Sequence, residues 1–260
     1  MGPPVHQELL RRVASWIVRW RLSSLQRRPP ALPGGAELRL EASDDPVWQG
    51  ALGLAVWPAA PPLCRHLLRR SGGCMAGERV LELGSMGMSI ASSRSGTGVV
   101  GLFAAALGAA TVLTDCRPAG PRGAAVLERL RSNAEANAAL CAVAPELLEL
   151  EWGHHEQQQA VASRGPFSLL LGSDVTYRPA SHAALLAAAA RVCECPEAGG
   201  SRPPPLLLAH HSWGTALPSM LGLPDGPLEH LRKTAHDGGW SFEEVDREST
   251  VSIIQLERRQ

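Results

Sequence analysis

Apolar and polar positions along the chain form short hydrophobic runs that alternate with longer amphipathic stretches. Val80 to Leu83 reads as a strand, and the small, apolar stretch Gly98 to Leu107 as a helix. Ala110 to Asp115, carrying Thr111, Val112 and Leu113, is the next strand. Gly123 to Leu140 predicts a helix ended by the turn near Pro145, and Glu146 to Trp152 a strand. In Phe167 to Asp174 the run Leu169, Leu170 and Leu171 predicts a strand buried on both faces. Ser181 to Cys193 predicts an Ala/Leu helix, Pro205 to His211 a second buried strand, and Pro227 to Gly238 a helix. Trp240 to Asp246 and Thr250 to Glu257 suit a closing hairpin around Arg247-Glu248. Strands alternating with helices imply an α/β fold with a doubly wound, parallel sheet, here finished by an antiparallel pair. Such sheets bind ligands at the C-terminal ends of their strands.

Upstream the pattern changes. Leu9, Leu10, Val13, Trp16, Ile17 and Trp20 recur at helical spacing among Arg11, Arg12, Arg19 and Arg21, with Glu8 the one acid nearby. Arg27 to Gly35 holds Pro29, Pro30, Pro33, Gly34 and Gly35 and reads as a linker. Residues 1–35 are therefore expected to be an amphipathic basic helix plus a Pro/Gly linker, and residues 36–260 the folded domain. Ala36 to Ala42 alternates apolar and polar positions, a candidate strand. Val47 to Arg70 is apolar with Trp48 and Trp57; Pro58, Pro61 and Pro62 interrupt it, and Leu63 to Arg70 looks helical and basic.

Composition adds exclusions. The 260 residues are 45% hydrophobic, enough for a large core, and the formal net charge is +0, which gives no reason to expect nucleic acid. The six cysteines are scattered and no secretory signal precedes them, so a reduced, cytoplasmic protein is expected. The nucleus, and an organelle addressed by the basic N-terminal helix, are the alternatives. Cys193-Glu194-Cys195 lacks a second ligand pair, so no metal is expected. No apolar run approaches the ~20 residues of a membrane span. A monomer is expected.

The chemistry concentrates in one region. Glu82-Leu83-Gly84 closes a strand, and Gly96-Thr97-Gly98-Val99-Val100-Gly101 opens a helix. Strand, glycine turn and helix let backbone N–H groups approach an adenosine cofactor closely. Asp115, at the end of the next strand, stands where a carboxylate can take both hydroxyls of a ribose. Glycine spacing and Asp115 fit an NAD-dependent oxidoreductase and a methyltransferase about equally; the acid Glu82, two residues before its glycine, leans toward the methyltransferase.

Further motifs occur in order: Val56-Trp57-Pro58-Ala59-Ala60, Thr114-Asp115, Leu130-Arg131-Ser132-Asn133-Ala134-Glu135-Ala136-Asn137, Leu150-Glu151-Trp152-Gly153 and Asp174-Val175-Thr176-Tyr177. With the glycine segments, this series resembles the seven-β-strand protein-lysine methyltransferases of the methyltransferase-like group, over about residues 45 to 257. The Trp-Gly pair and the D-x-x-Y motif carry that resemblance more than the glycines do. It implies a Rossmann-like, seven-stranded, mostly parallel sheet with helices on both faces, S-adenosylmethionine as cofactor, and a lysine side chain of a protein as acceptor. It also implies roles. Glu82, Gly84, Gly96 and Gly98 resemble the loop under the methionine part of the cofactor, and Asp115 the ribose ligand. Trp152 resembles the residue packed on the adenine, Trp57 a residue lining the pocket, and Ser173 lies beside the expected sulfonium. Asp174 and Tyr177 resemble the pair beside the target amine. As plain residues, Trp57 and Trp152 also suit a core, and Asn133 and Asn137 a solvent-facing surface.

One departure stands out. Between Gly84 and Gly96 the family has one small residue, whereas here Ser85 through Ser95, eleven residues, fill the gap. Lengthening a loop costs only about 0.6 kcal/mol per doubling, so folding is not threatened. Either the extra residues bulge outward and binding survives in weakened form, or Met86, Met88 or Ile90 enters the methionine pocket and leaves a catalytically impaired binding module.

Overall fold

The computed structural model describes residues 29–40, 56–84, 97–117, 122–194, 203–212 and 225–259. The expected N-terminal helix, Trp48, Gly96 and the Ser85 to Ser95 insertion lie outside the described residues.

Seven strands form one sheet: β1 Arg79–Glu82, β2 Ala110–Asp115, β3 Glu146–Glu149, β4 Leu169–Ser173, β5 Leu206–His211, β6 Trp240–Glu248 and β7 Val251–Arg258. Their spatial order is β3-β2-β1-β4-β5-β7-β6. The first five are parallel, and β7 pairs antiparallel with both β5 and β6. The described helices are α1 Ala60–Ser71, α2 Val99–Ala106, α3 Arg122–Asn137, α4 His155–Ala162, α5 His182–Cys193 and α6 Gly226–Asp237, with 3-10 turns at Ala138–Leu140 and Pro179–Ser181. None of them is long and apolar enough to cross a membrane.

The central strands are leucine runs because both of their faces are covered. Successive strand residues point to opposite faces. Leu170 pairs with Leu206 and Leu171 with Leu207, so each pair shares a face. Leu170, Leu206 and Leu208 join a core with Val161 of α4, Leu185 and Ala188 of α5, and Leu231 of α6. Leu169, Leu171, Leu207 and Ala209 join the opposite core with Leu63 and Leu67 of α1 and Val99 and Phe103 of α2. Leu32, from the Pro/Gly-rich stretch, is buried in that second core.

Several elements differ from the sequence expectation. No strand forms over the described part of Ala36 to Ala42; Asn137 instead takes both backbone groups of Arg39, its Oδ1 accepting from Arg39 N–H at 2.8 Å and its Nδ2 donating to Arg39 O at 2.6 Å. A side-chain amide here supplies the bonds a neighbouring strand would. Helix α4 had no apolar signature, since Gln158 and Val161 are its buried residues. Strand β3 stops at Glu149, although Leu150 N–H still donates to Asp115 O at 2.8 Å. Helix α1 begins at Ala60, with Pro61 and Pro62 in its first turn, where a missing N–H is harmless.

Candidate active site

The C-terminal ends of β1 and β4 and the starts of α1 and α2 meet at a cleft lined by Trp57, Ala60, Glu82, Thr97, Val99, Val100 and Ser173. Its water-accessible volume is about 10 Å³, room for no more than about one water molecule. That is less than the ~300–1,000 Å³ usual for a drug-sized ligand.

Glu82 ends β1 and is 3% exposed. Its Oε2 accepts from Gly101 N–H, in the first turn of α2, at 2.9 Å. The N-terminal N–H groups of a helix lack internal partners, and a carboxylate beside them is favoured. Glu82 thus acts as a remote cap that ties α2 to β1. Burial nevertheless pushes its carboxyl up from 4.5 to about 7; Asp115 adds to the rise, while the N–H groups of Gly101 and Val100 oppose it.

The glycines around Glu82 serve close packing. A side chain on Gly84 would place Cβ 2.3 Å from Thr114 O and 2.7 Å from Asp115 Cα, both backbone atoms. Gly98 is the left-handed N-cap of α2, with φ +63. Thr114 pins the strand ends, its hydroxyl donating to Glu82 O at 2.7 Å. The turn before α2 is held from behind, where Asn133 Nδ2 donates to Thr97 O at 3.0 Å. Asn133 and Asn137 are fully buried, so a solvent-facing reading is excluded for both.

Asp115 ends β2, is fully buried, and accepts from Cys116 N–H through Oδ1 at 2.8 Å. Trp152 follows β3 and is 4% exposed; it packs into the core with Leu83, Val161 and Phe167, and its Nε1 finds no hydrogen-bond partner among the described residues. Trp57 is equally buried, but lines the cleft.

Ser173 ends β4 and Asp174 follows it. Ser173 Oγ is buried without a hydrogen-bond partner among the described residues and lies on the cleft wall. An orphaned buried hydroxyl costs about 1–3 kcal/mol, which a bound polar group would offset. Asp174 adopts φ 53, in the left-handed region that Asp tolerates better than most residues. Its N–H donates to Ala209 O at 3.0 Å, and its Oδ2 accepts from Ala59 N–H at 2.9 Å, at the N-cap of α1. The carboxylate is therefore fixed against the start of α1, two residues after Trp57. Tyr177 follows, half-buried.

The structure thus gathers Trp57, Glu82 and Ser173 on one cleft, and sets Gly84, Gly98, Asp115 and Asp174 at the strand and helix ends around it. Trp152 sits at the end of β3, beside the end of β2. Sequence reasoning missed Thr97 and Asn133, which shape the same turn; their signal was the Asn at helical spacing with Asn137.

The sequence matches a family described as lysine methyltransferase over residues 36–198. It is similar to the protein N-lysine methyltransferase METTL21A of Danio rerio, 35% identical over 154 residues, which cover 58% of this chain and 60% of that protein. It is also similar to the histone-arginine methyltransferase METTL23 of Mus musculus, 31% identical over 162 residues, 62% of this chain and 55% of that protein. The matches thus span somewhat over half the length of these relatives. Among solved structures, the ribosomal protein L11 methylase of Lactobacillus delbrueckii subsp. bulgaricus superposes with a TM-score of 0.51 at 14% identity, covering 89% of this chain and 88% of that one. At that identity the likeness speaks for the fold.

Proposed function

The chain belongs to the lysine methyltransferase family, and from that premise we propose that it transfers a methyl group from S-adenosylmethionine to a lysine side chain of a protein. The observation that carries this reading is the buried, unpartnered Ser173 hydroxyl on a cleft that also holds Glu82 and Trp57. The donor set fits the group. Glu82 would face the cofactor's ammonium, Asp115 its ribose hydroxyls and Trp152 its adenine, while Ser173 would bond a polar atom near the reacting centre. Bound there, S-adenosylmethionine supplies a methyl carbon already activated by the sulfonium.

The protein's own task is alignment, and proximity is the large term in such a reaction. Asp174, held by Ala59 N–H, would draw in the lysine ammonium, which must give up its proton to water before the nitrogen can attack, and would stabilise the positive charge that the nitrogen regains on methylation. Tyr177, half-buried and three residues further on, would flank the amine. Lysine is favoured over arginine because the family is described so, and because the chain carries the Asp174-to-Tyr177 motif. The cytoplasm is the compartment that we assign to the reaction, on the scattered cysteines; fractionation of the tagged chain tests that assignment.

The test uses Asp174→Asn. Asn keeps an acceptor for Ala59 N–H and tolerates the left-handed backbone, so the fold is spared. With tritiated S-adenosylmethionine and a cell extract as acceptor, labelled lysine is expected from the wild-type chain. Asp174→Asn is expected to lower labelling by about 100-fold or more while S-adenosylhomocysteine affinity stays within about threefold. Equal loss of both would remove Asp174 from the acceptor side, and label on arginine would overturn the acceptor assignment.

A further inference from the structure

The two central residues of Asp174-Val175-Thr176-Tyr177 are both engaged inside the protein. Val175 is 1% exposed and packs in the core on the α4–α6 face of the sheet. Thr176 is fully buried, and its hydroxyl and carbonyl are each met by a buried histidine from a different element. Its hydroxyl lies 2.7 Å from Nδ1 of His210, the penultimate residue of β5. Its carbonyl lies 2.8 Å from Nε2 of His182, the first residue of α5.

Acceptor-only partners fix the polarity of the bonds made to them. A carbonyl and a carboxylate only accept. His210 Nε2 lies 3.1 Å from Asp225 Oδ2, so Nε2 carries the proton and donates to Asp225. His210 Nδ1, on the other side of the ring, pairs with the Thr176 hydroxyl. On the other side His182 Nε2 donates to Thr176 O, which leaves His182 Nδ1 to accept from His230 Nδ1 at 3.1 Å. Burial lowers the pKa of His182, consistent with a neutral ring, although the backbone bond opposes the shift. Asp225 is anchored in turn as the N-cap of α6, where its Oδ1 accepts from Leu228 N–H at 3.2 Å. Burial raises its carboxyl, but the bonds from His210, Ser212 and Leu228 outweigh that and bring it down to about 2.

From this arrangement we propose that His210, oriented by Asp225, is a positioning residue that sets the Asp174-to-Tyr177 loop through the Thr176 hydroxyl. The inference rests on the proposed function for its consequence in catalysis, but the positioning itself is open to direct measurement. At the core of this hydrogen-bond chain Thr176, His182 and His210 are all buried, and a broken link there leaves a buried polar atom unpaired. Asp174 is tied to the N-cap of α1 and to β5, and Thr176 to β5 and α5, so the motif is anchored on both sides of Val175.

Tyr177 is the single tyrosine of the chain, so labelled tyrosine gives one ring signal by NMR. The variants are Thr176→Val, which deletes the hydroxyl at constant shape, Thr176→Ser, which keeps it, and His210→Ala. Thr176→Val and His210→Ala are expected to shift or broaden the Tyr177 ring signal, and Thr176→Ser to leave it at the wild-type position. S-adenosylhomocysteine affinity, by calorimetry, is expected to stay within about threefold in all three, while the extract concentration giving half-maximal labelling rises about tenfold in the first two. An unchanged Tyr177 signal in Thr176→Val would overturn the positioning role. A changed signal in a protein that neither binds S-adenosylhomocysteine nor labels any acceptor would keep the positioning role and overturn the proposed function. Loss of the signal in Thr176→Ser as well would show a merely structural threonine and sink the inference.

Discussion

Glu82 holds the first turn of α2 by its carboxylate, and burial moves its pKa up to about 7. The folded state therefore binds this proton more tightly than the unfolded chain, whose value is 4.5. Between these two values the unfolded chain ionises while the folded one resists, so stability falls as pH rises through that window. Above pH 7 the ionised form costs roughly 3 kcal/mol relative to an acid in water. Glu82→Gln, which keeps an acceptor for Gly101 N–H, is expected to melt close to wild type near pH 5 and above it at pH 8. Thermal melts at the two pH values decide this, and a gap that does not change with pH would contradict it. Gly84 belongs to the same scale. A methyl group there meets backbone on β2 rather than a side chain that can move aside. Gly84→Ala is expected to cost about 1–3 kcal/mol in urea unfolding and to weaken S-adenosylhomocysteine binding by displacing Asp115. Wild-type stability in that variant would contradict the close-packing account. Both residues were legible in the sequence as an acid and a glycine at a strand end. That the acid spends a bond on α2 was not, because the partner N–H lies across the interrupted turn.

At the scale of elements, legibility followed the density of apolar residues. β4 and β5 stood out because every position is buried and both faces of the sheet need a hydrophobic residue. α4 did not, because its sequence HEQQQAVA buries little and is anchored by His154 at its start. The strand expected from Ala36 to Ala42 failed for a physical reason. The alternation of Leu38 and Leu40 is real, and both pack against the core, but the backbone of Arg39 bonds to an asparagine amide instead of a strand. Asn137 therefore does the work of an edge strand. Asn137→Ala removes the partner of the part-buried Arg39 backbone bonds and is expected to destabilise by about 1–2 kcal/mol, measured by urea unfolding, with the 36–40 amides exchanging faster. A change below about 0.5 kcal/mol would show that water replaces the amide at no cost. The basic face of α1, which the sequence left unassigned, is met by the closing hairpin: Arg65 pairs with Glu248, and Arg69 and His66 with Asp246.

At the scale of the whole molecule, the parallel sheet sets the site by topology. β1 and β4 are neighbours at its centre, and the helices that follow β1 and precede it, α2 and α1, lie on the same face. Glu82, Ser173 and the threshold of α1 must therefore meet, whatever loops join them. The sequence made this visible as strand ends bearing polar residues, and the resemblance to lysine methyltransferases gave those residues roles. It could not show the two histidines under the acceptor motif, because His182, His210 and Thr176 come together only through the fold. The Ser85 to Ser95 insertion lies in the sequence between Gly84 and the turn at Thr97 that borders the cleft. A loop's length is thermodynamically cheap, so its effect falls on the ligand rather than on the fold. Calorimetry with S-adenosylhomocysteine, on this chain and on a version lacking ten of residues 85–95, tests the account most directly. The account predicts one-to-one binding with a Kd on the order of 10 μM for the full chain and tighter binding for the shortened one. No heat of binding from either protein, with both folded, would contradict it.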